Sequence, residues 1–208
     1  MRPATFTREQ VTDAALAVAR GKGWRSVTMR ATADVLGVTP MALYRVVTTA
    51  DDLRRDAANA VGRRLRASDA VAAADLSGWA AAAYRELTSH PGLAAWVLET
   101  WTELDGWLEV VDVLLGAASG RGASDLDAVE AVNAVFTFVL MRAQVADSIR
   151  RLPDRTLAPV RAEPDRFPNI ARNLDQFRVA RVEHHFEVGL ATLLRGLGHR
   201  HGRPRRRR

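Results

Sequence analysis

The sequence predicts an all-α protein. Three observations carry that prediction: an alanine-rich composition with 48% hydrophobic but only 6% aromatic residues, apolar residues recurring at helical spacing, and the absence of any alternating strand pattern. Caps and breakers divide the chain into about nine to ten helices. At 208 residues it can bury a sizeable core. It contains no cysteine, which excludes disulfides and thiolate metal sites. No apolar run reaches the roughly eighteen residues of a membrane span, and the opening "MRPATFTREQ" lacks the apolar core of a signal peptide. The expectation is a cytoplasmic protein with no membrane partner.

The net charge of +6 is unevenly distributed. Residues 1–50 carry +4 and residues 195–208 carry +7, which leaves −5 for residues 51–194. A basic N-terminal block on an acidic body points to a polyanion at the N-terminal end.

In "FTREQVTDAALAVARGKGW", Thr7 and Gln10 have capping-box spacing, and Phe6 and Val11 sit where a hydrophobic staple joins them. Gly21 and Gly23 are expected to end this helix. Thr28 caps a second helix, and Gly37 suits a left-handed terminus. Thr39 is expected to cap a third, with Pro40 at its first position. Two short helices joined by a glycine turn have the proportions of a helix-turn-helix. The second must cross the third closely, and the small residue required there is Ala33. Leu43 and Val46 are predicted to pin the third helix to the body. Thr39, Pro40, Met41, Tyr44 and Arg45 are then displayed. That helix can place a hydroxyl, an apolar edge and a Tyr-Arg pair in a major groove. Thr28 and Thr39 sit at helix N-termini, which favour anions.

The stretch "TREQVTDAALAVARGKGWRSVTMRATADVLGVTPMALYRVVTTADDL" resembles the DNA-binding domain of TetR-type transcriptional regulators. The resemblance rests on the Thr-Met-Arg start of the second helix, the Leu-Gly-Val-Thr turn, the Leu-Tyr-Arg of the third and the acidic-Leu start of the fourth. It covers about a quarter of the chain and implies a dimeric, ligand-responsive regulator, a repressor by analogy. Its implied DNA-binding residues are Thr28, Arg30, Thr39, Pro40, Met41, Tyr44, Arg45 and Thr49. Two positions depart from the family pattern. Val46 stands where His or Tyr is usual, and Ala50 where a lysine is common, which removes two phosphate contacts. The implied organisation is a helix-turn-helix domain over 1–48, a ligand-binding and dimerisation domain over 49–197, and a basic disordered tail over 198–208.

The later segments read as longer helices, broken at His90-Pro91, at the loop "SGRG" and at Leu152-Pro153. Ser124 caps the longest. Residues 153–168, with four prolines, are expected to form a loop, and a last helix to run from about Leu174 to Leu197. Trp79, Trp96, Trp101 and Trp107 fall on three successive helices, with Phe136, Phe138 and Met141 expected to face them. By the resemblance, Trp96, Trp101, Trp107, Phe136, Phe138, Met141 and Arg142 line a pocket for a small apolar or amphipathic effector. Arg142 shares an apolar stripe, and Glu99, Glu103 and Asp147 are its candidate partners. The long and last helices, by the same resemblance, form a homodimer interface.

Other chemistry finds no pattern. His184 and His185 point about 100° apart on a helix, so a shared metal is not expected. "GAASGRG" lacks the phosphate-loop lysine, and no hydroxyl has a base beside it. No catalytic residue, metal or cofactor is assigned. Two rival readings remain: a dimeric helical ligand-binding or adaptor protein that has lost sequence-specific DNA binding, and a nucleic-acid binder that works through its basic tail.

Overall fold

The computed structural model describes residues 6–73, 75–120, 124–150, 157–177 and 182–200, and among them there is no strand. The α-helices are α1 (Arg8–Lys22), α2 (Met29–Leu36), α3 (Pro40–Leu43), α4 (Ala50–Arg66), α5 (Asp69–Ala72) and α6 (Leu76–Thr88). They continue with α7 (Leu93–Thr100), α8 (Asp105–Ser119), α9 (Asp125–Arg150), α10 (Ala158–Ala162), α11 (Pro168–Arg172) and α12 (Val182–Arg200). The count exceeds the expected nine to ten because α5, α10 and α11 are single turns.

The predicted starts hold where side-chain chemistry is local. Thr7 accepts from the Gln10 amide at 3.2 Å while the Gln10 side chain accepts from the Thr7 amide at 2.8 Å, a complete capping box. Thr28, Thr49 and Ser124 accept from the amides of Ala31, Asp52 and Asp127 at 3.1, 3.0 and 3.3 Å.

Several stops differ. α1 runs through Gly21 to Lys22, and Gly23, at φ +84°, ends it. Between 157 and 168 the prolines lie in the first turns of short elements: Pro164 opens a 3-10 turn and Pro168 opens α11, while Pro159 is second in α10, positions at which the missing amide sacrifices no intrahelical hydrogen bond. Leu174, where the last helix was expected to start, opens a separate 3-10 turn, Leu174–Phe177, and α12 is described from Val182. It continues to Arg200, so the tail expected from 198 begins in a helix; residues 201–208 lie outside the described residues.

α1, α2 and α3 form a head around Val11, Ala15, Leu16, Val27, Ala33 and Leu43. α4 packs on α1 in the head and on α8 in the body. α9 is the hub of the body and contacts α6, α7, α8 and α12. By length and composition α9 is the one helix among the described residues apolar enough to cross a membrane, which no apolar run in the sequence suggested. Val132, Val135, Phe136, Val139 and Leu140 of α9 are buried, so its apolarity serves the core.

Candidate nucleic-acid interface

The geometry of α3 follows from the turn that precedes it. Gly37 takes the left-handed conformation at φ +67°, which lets the Val38 amide donate to the Ala33 carbonyl at 3.0 Å. Ala33 is fully buried at the crossing. α3 is only four residues long, and a turn continues it. The amides of Val46 and Val47 both donate to the Leu43 carbonyl, at 2.9 and 3.0 Å. Leu43 and Val47 are buried, whereas Val46 is half-buried. The predicted Val46 packs partly buried against the core, and Val47, four residues after Leu43, is the more deeply buried second pin.

With that face anchored, Thr39, Pro40, Met41, Tyr44 and Arg45 are all exposed, Met41 at 75% and Tyr44 at 52%. Thr39 was expected to cap α3, but its hydroxyl makes no capping bond and stays on the outer face. The hydroxyls of Thr28 and Thr49 are committed to their caps. Both residues are exposed, as are Arg30 and Arg45, and neither arginine has an ion-pair partner among the described residues. Val35 on α2 is also exposed, at 53%, an apolar neighbour that helical spacing alone had not singled out.

The head is joined to the body at two places. The first is the crossing of α4 and α8. A Cβ on Gly62 would lie 2.6 Å from the Gly106 carbonyl group, and one on Gly106 would lie 2.3 Å from the Asn59 carbonyl oxygen. Only glycine allows that approach. The Gly106 amide donates to Asn59 Oδ1 and Trp107 Nε1 to the Ala58 carbonyl, each at 2.9 Å. Arg55–Glu103 at 2.6 Å and Arg66–Glu109 at 3.5 Å flank the crossing. Arg8–Asp56 at 2.7 Å and Arg64–Asp13 at 2.6 Å tie the same helix to α1. Exposed pairs of this kind contribute about 0–1 kcal/mol each, so the glycine contact and the buried indole bond hold the joint.

The second joint is the turn between α6 and α7. The Trp24 amide donates to the Pro91 carbonyl at 2.7 Å, and the Gly92 amide to Asp147 Oδ2 at 2.7 Å. Trp24 and Trp96 pack with ring centroids 5.5 Å apart. His90 is fully buried beside this turn, its Nδ1 2.8 Å from the Glu86 carbonyl. Burial pushes the His90 pKa down, against the pull of Glu86, and Arg20 and Arg64 push it further down. Because the folded value lies below the unfolded one, the stability His90 contributes is complete above about pH 6.5 and is lost as pH falls toward the folded value. Urea unfolding at pH 7.5 and 5.5 is expected to show that loss, and His90→Gln to reduce the difference between the two pH values.

Phe136 is the centre of the body's aromatic cluster, with Trp101, Trp107 and Trp79 at 5.4, 5.9 and 6.2 Å. Three expected members lie elsewhere. Trp96 faces Trp24, Phe138 packs on Phe186 at 5.7 Å, and Met141 is 43% exposed. Tyr84 stacks on Phe186 at 3.9 Å, and burial raises its hydroxyl pKa, with Arg142 acting in the opposite direction. Arg142 and its candidate partner Asp147 both have interactions within the body, Asp147 also accepts from Gly92, Glu103 pairs with Arg55, and Glu99 is exposed. Among the described residues, Trp79 Nε1 and the Tyr84 hydroxyl are buried without a hydrogen-bond partner, as are Trp24 Nε1, the Thr32 hydroxyl and His90 Nε2. His184 and His185 are both exposed, with ring centroids 6.2 Å apart.

A family model described as the tetracyclin repressor-like C-terminal domain matches residues 71–200. No curated protein sequence matches the chain significantly. Among solved structures, a possible TetR family transcriptional regulator from Streptomyces coelicolor A3(2) is similar at 26% identity and a TM-score of 0.71, over 91% of this chain and 98% of that one. BioQ, solved with its double-stranded DNA operator, is similar at 24% identity and a TM-score of 0.63, over 93% and 98%. ActR from Streptomyces coelicolor, solved in complex with (S)-DNPA, is similar at 19% identity and a TM-score of 0.65, over 93% and 98%. The last two likenesses are likenesses of fold.

Proposed function

The chain belongs to the TetR family of transcriptional regulators, and from that premise we propose that it is a cytoplasmic repressor that binds a pseudo-palindromic operator as a homodimer and is released by a small-molecule effector. It acts by binding and carries out no catalysis. The observation that carries this reading is the α3 surface, where Leu43 and Val47 are buried while Thr39, Pro40, Met41, Tyr44 and Arg45 face outward. A four-residue helix adds little core, but it can enter a major groove. Thr28, Arg30 and Thr49 flank it as backbone contacts. Residues 1–48 form the DNA-binding domain, residues 49–197 the sensor and dimerisation domain, and residues 198–208 a basic tail.

A second copy of the chain fits the outer side of α9 and α12. Leu126, Val129, Met141 and Val188 are exposed there, and a groove of about 480 Å³ lies between Asn133 of α9 and Leu193 and Leu197 of α12. A two-fold dimer matches a two-fold operator with half-sites about one helical turn apart. Sedimentation of the protein with a short duplex that it selects tests this: two chains per duplex are expected, and one chain per duplex contradicts it.

The effector site is assigned to the aromatic body around Trp101, Trp107 and Phe136, with Arg142 of α9; Trp96, Phe138 and Met141, which lie elsewhere, are not part of it. The Trp79 Nε1 donor beside Phe136 supports it, because a ligand with a hydrogen-bond acceptor would satisfy it. Arg142 is assigned to an acidic group on that ligand. Arg142→Ala is then expected to weaken effector binding about tenfold or more, as loss of a charged hydrogen bond does; unchanged affinity in a folded variant removes that assignment. Release would pass through α4, which is fixed to α8.

The two departures from the family pattern support a weakened phosphate grip. Neither the Val46 nor the Ala50 side chain carries a donor, and both pack partly buried against the core. Ala50→Lys is expected to raise operator affinity and to steepen the slope of log affinity against log salt by about 0.9 for each half-site.

A further inference from the structure

The chain has no cysteine and four methionines, so thioethers are its only oxidisable sulfur groups. The described methionines differ in exposure. Met29 is 7% accessible within the head, Met141 is 43% accessible on α9, and Met41 is 75% accessible on α3. No other large apolar side chain among the described residues is as exposed as Met41. Leu43 and Val47 anchor the opposite side, so the Met41 thioether is displayed with Pro40 and Tyr44. A soft apolar group there suits thymine methyls.

We propose that Met41 is a reversible oxidation site through which a hydroperoxide lowers the affinity of this protein for its operator. The proposal rests on the reading that α3 enters the major groove. The sulfur lone pair attacks one oxygen of hydrogen peroxide, and the O–O bond breaks as the S–O bond forms. The hydrogen on the transferred oxygen passes to the departing hydroxide, which leaves as water. Sulfur is oxidised by two electrons and the peroxide is reduced. The sulfoxide oxygen is a strong acceptor with no donor of its own. Against a thymine methyl it finds no partner, and against phosphate it presents the negative end of the S–O dipole. Operator affinity is therefore expected to fall roughly 10- to 100-fold, the cost of a polar group buried without a hydrogen bond.

Location adds a second readout. A bound operator covers α3 but not α9, so it should slow oxidation at Met41 and leave the rate at Met141, which the proposed dimer places beside its partner with or without DNA, unchanged.

The test uses the full chain and a duplex that the untreated protein selects. Samples are treated with hydrogen peroxide, mapped by peptide mass spectrometry and then reduced with the two methionine sulfoxide reductases, one for each epimer. Wild type, Met41→Leu and Met141→Leu are each compared with their own untreated sample. The expected result is a loss of affinity in wild type and Met141→Leu that enzymatic reduction reverses, with no loss in Met41→Leu. Complete sulfoxide at Met41 with unchanged affinity overturns the proposal, as does an equal loss in Met41→Leu. An untreated protein that selects no duplex defeats the DNA-reading assignment itself, and it does so before any peroxide is added.

Discussion

Gly106→Ala is expected to be the most destabilising single-methyl change in the molecule. The new Cβ would stand 2.3 Å from the Asn59 carbonyl oxygen, with the Asn59 backbone closing the site on one side. Backbone cannot rotate away as a flexible side chain can, so α8 must lift from α4. Lifting it stretches the Gly106–Asn59 and Trp107–Ala58 hydrogen bonds, both 2.9 Å long. Overpacking of this kind costs about 1–3 kcal/mol, and two weakened buried bonds add about 1 kcal/mol each. A total near 3–5 kcal/mol is a large part of a typical stability of about 5–15 kcal/mol. For a chain of this length it corresponds to a fall in Tm of roughly 6–20 °C. Gly116 of α8 is the control, because a Cβ there meets nothing within 4 Å. Gly116→Ala should raise stability by about 0.4–1 kcal/mol through helix propensity and loss of unfolded-state entropy. Thermal melts of the two variants beside wild type decide the matter, and equal Tm values for both would show that the crossing is not tight.

Arg45→Ala is expected to produce the largest loss of DNA affinity without a loss of fold. Arg45 is exposed and without an ion-pair partner among the described residues, so its removal should change stability by no more than about 0.5 kcal/mol. A bidentate arginine contact with a guanine edge discriminates by about 1–3 kcal/mol. A two-fold dimer loses it twice, which makes the decrease about 30-fold or greater. Leu43→Ala gives the contrasting case. Leu43 is fully buried, so its truncation should cost the head about 2–5 kcal/mol and lower affinity by unsettling α3. Calorimetry with operator titration separates them: Arg45→Ala should melt like wild type and bind poorly, whereas Leu43→Ala should do both badly. Full operator affinity in Arg45→Ala would take that side chain out of the interface.

The head was legible in the sequence because its signals are local. A cap needs a hydroxyl three residues from an amide, and a left-handed turn needs a glycine, so Thr7, Thr28, Gly37 and Thr49 could be placed by spacing alone. The anchoring of α3 was read less fully: Val46 does pack against the core, but α3 ends after one turn, so counting in regular helical steps beyond Leu43 missed the more deeply buried Val47. Thr39 likewise has the position of a cap without making its bond.

The body was less legible because its determinants are distant in the chain. Nothing near Gly62 announces that Gly106 will lie against it, or that the Trp107 indole will reach the Ala58 carbonyl. α9 is buried against four other helices, so its apolar residues form no single stripe. A stripe assigned from spacing therefore placed Phe138 and Met141 with the tryptophans, whereas Phe138 turns to Phe186 and Met141 outward. Nothing in the spacing marked Trp24 as the partner of Trp96 that joins head to body. The α4–α8 crossing also bears on how an effector signal would travel. A helix in backbone contact with α8 and tied to α1 at two ion pairs moves with its neighbours or not at all.

Selection of random duplex DNA by the purified protein at physiological salt, with Tyr44→Ala in parallel, tests most directly whether the α3 face reads DNA. Enrichment of one pseudo-palindrome by wild type, and its absence with the folded Tyr44→Ala variant, is the predicted result. A folded dimer that enriches no sequence, or a Tyr44→Ala variant that enriches the same one equally, would contradict it.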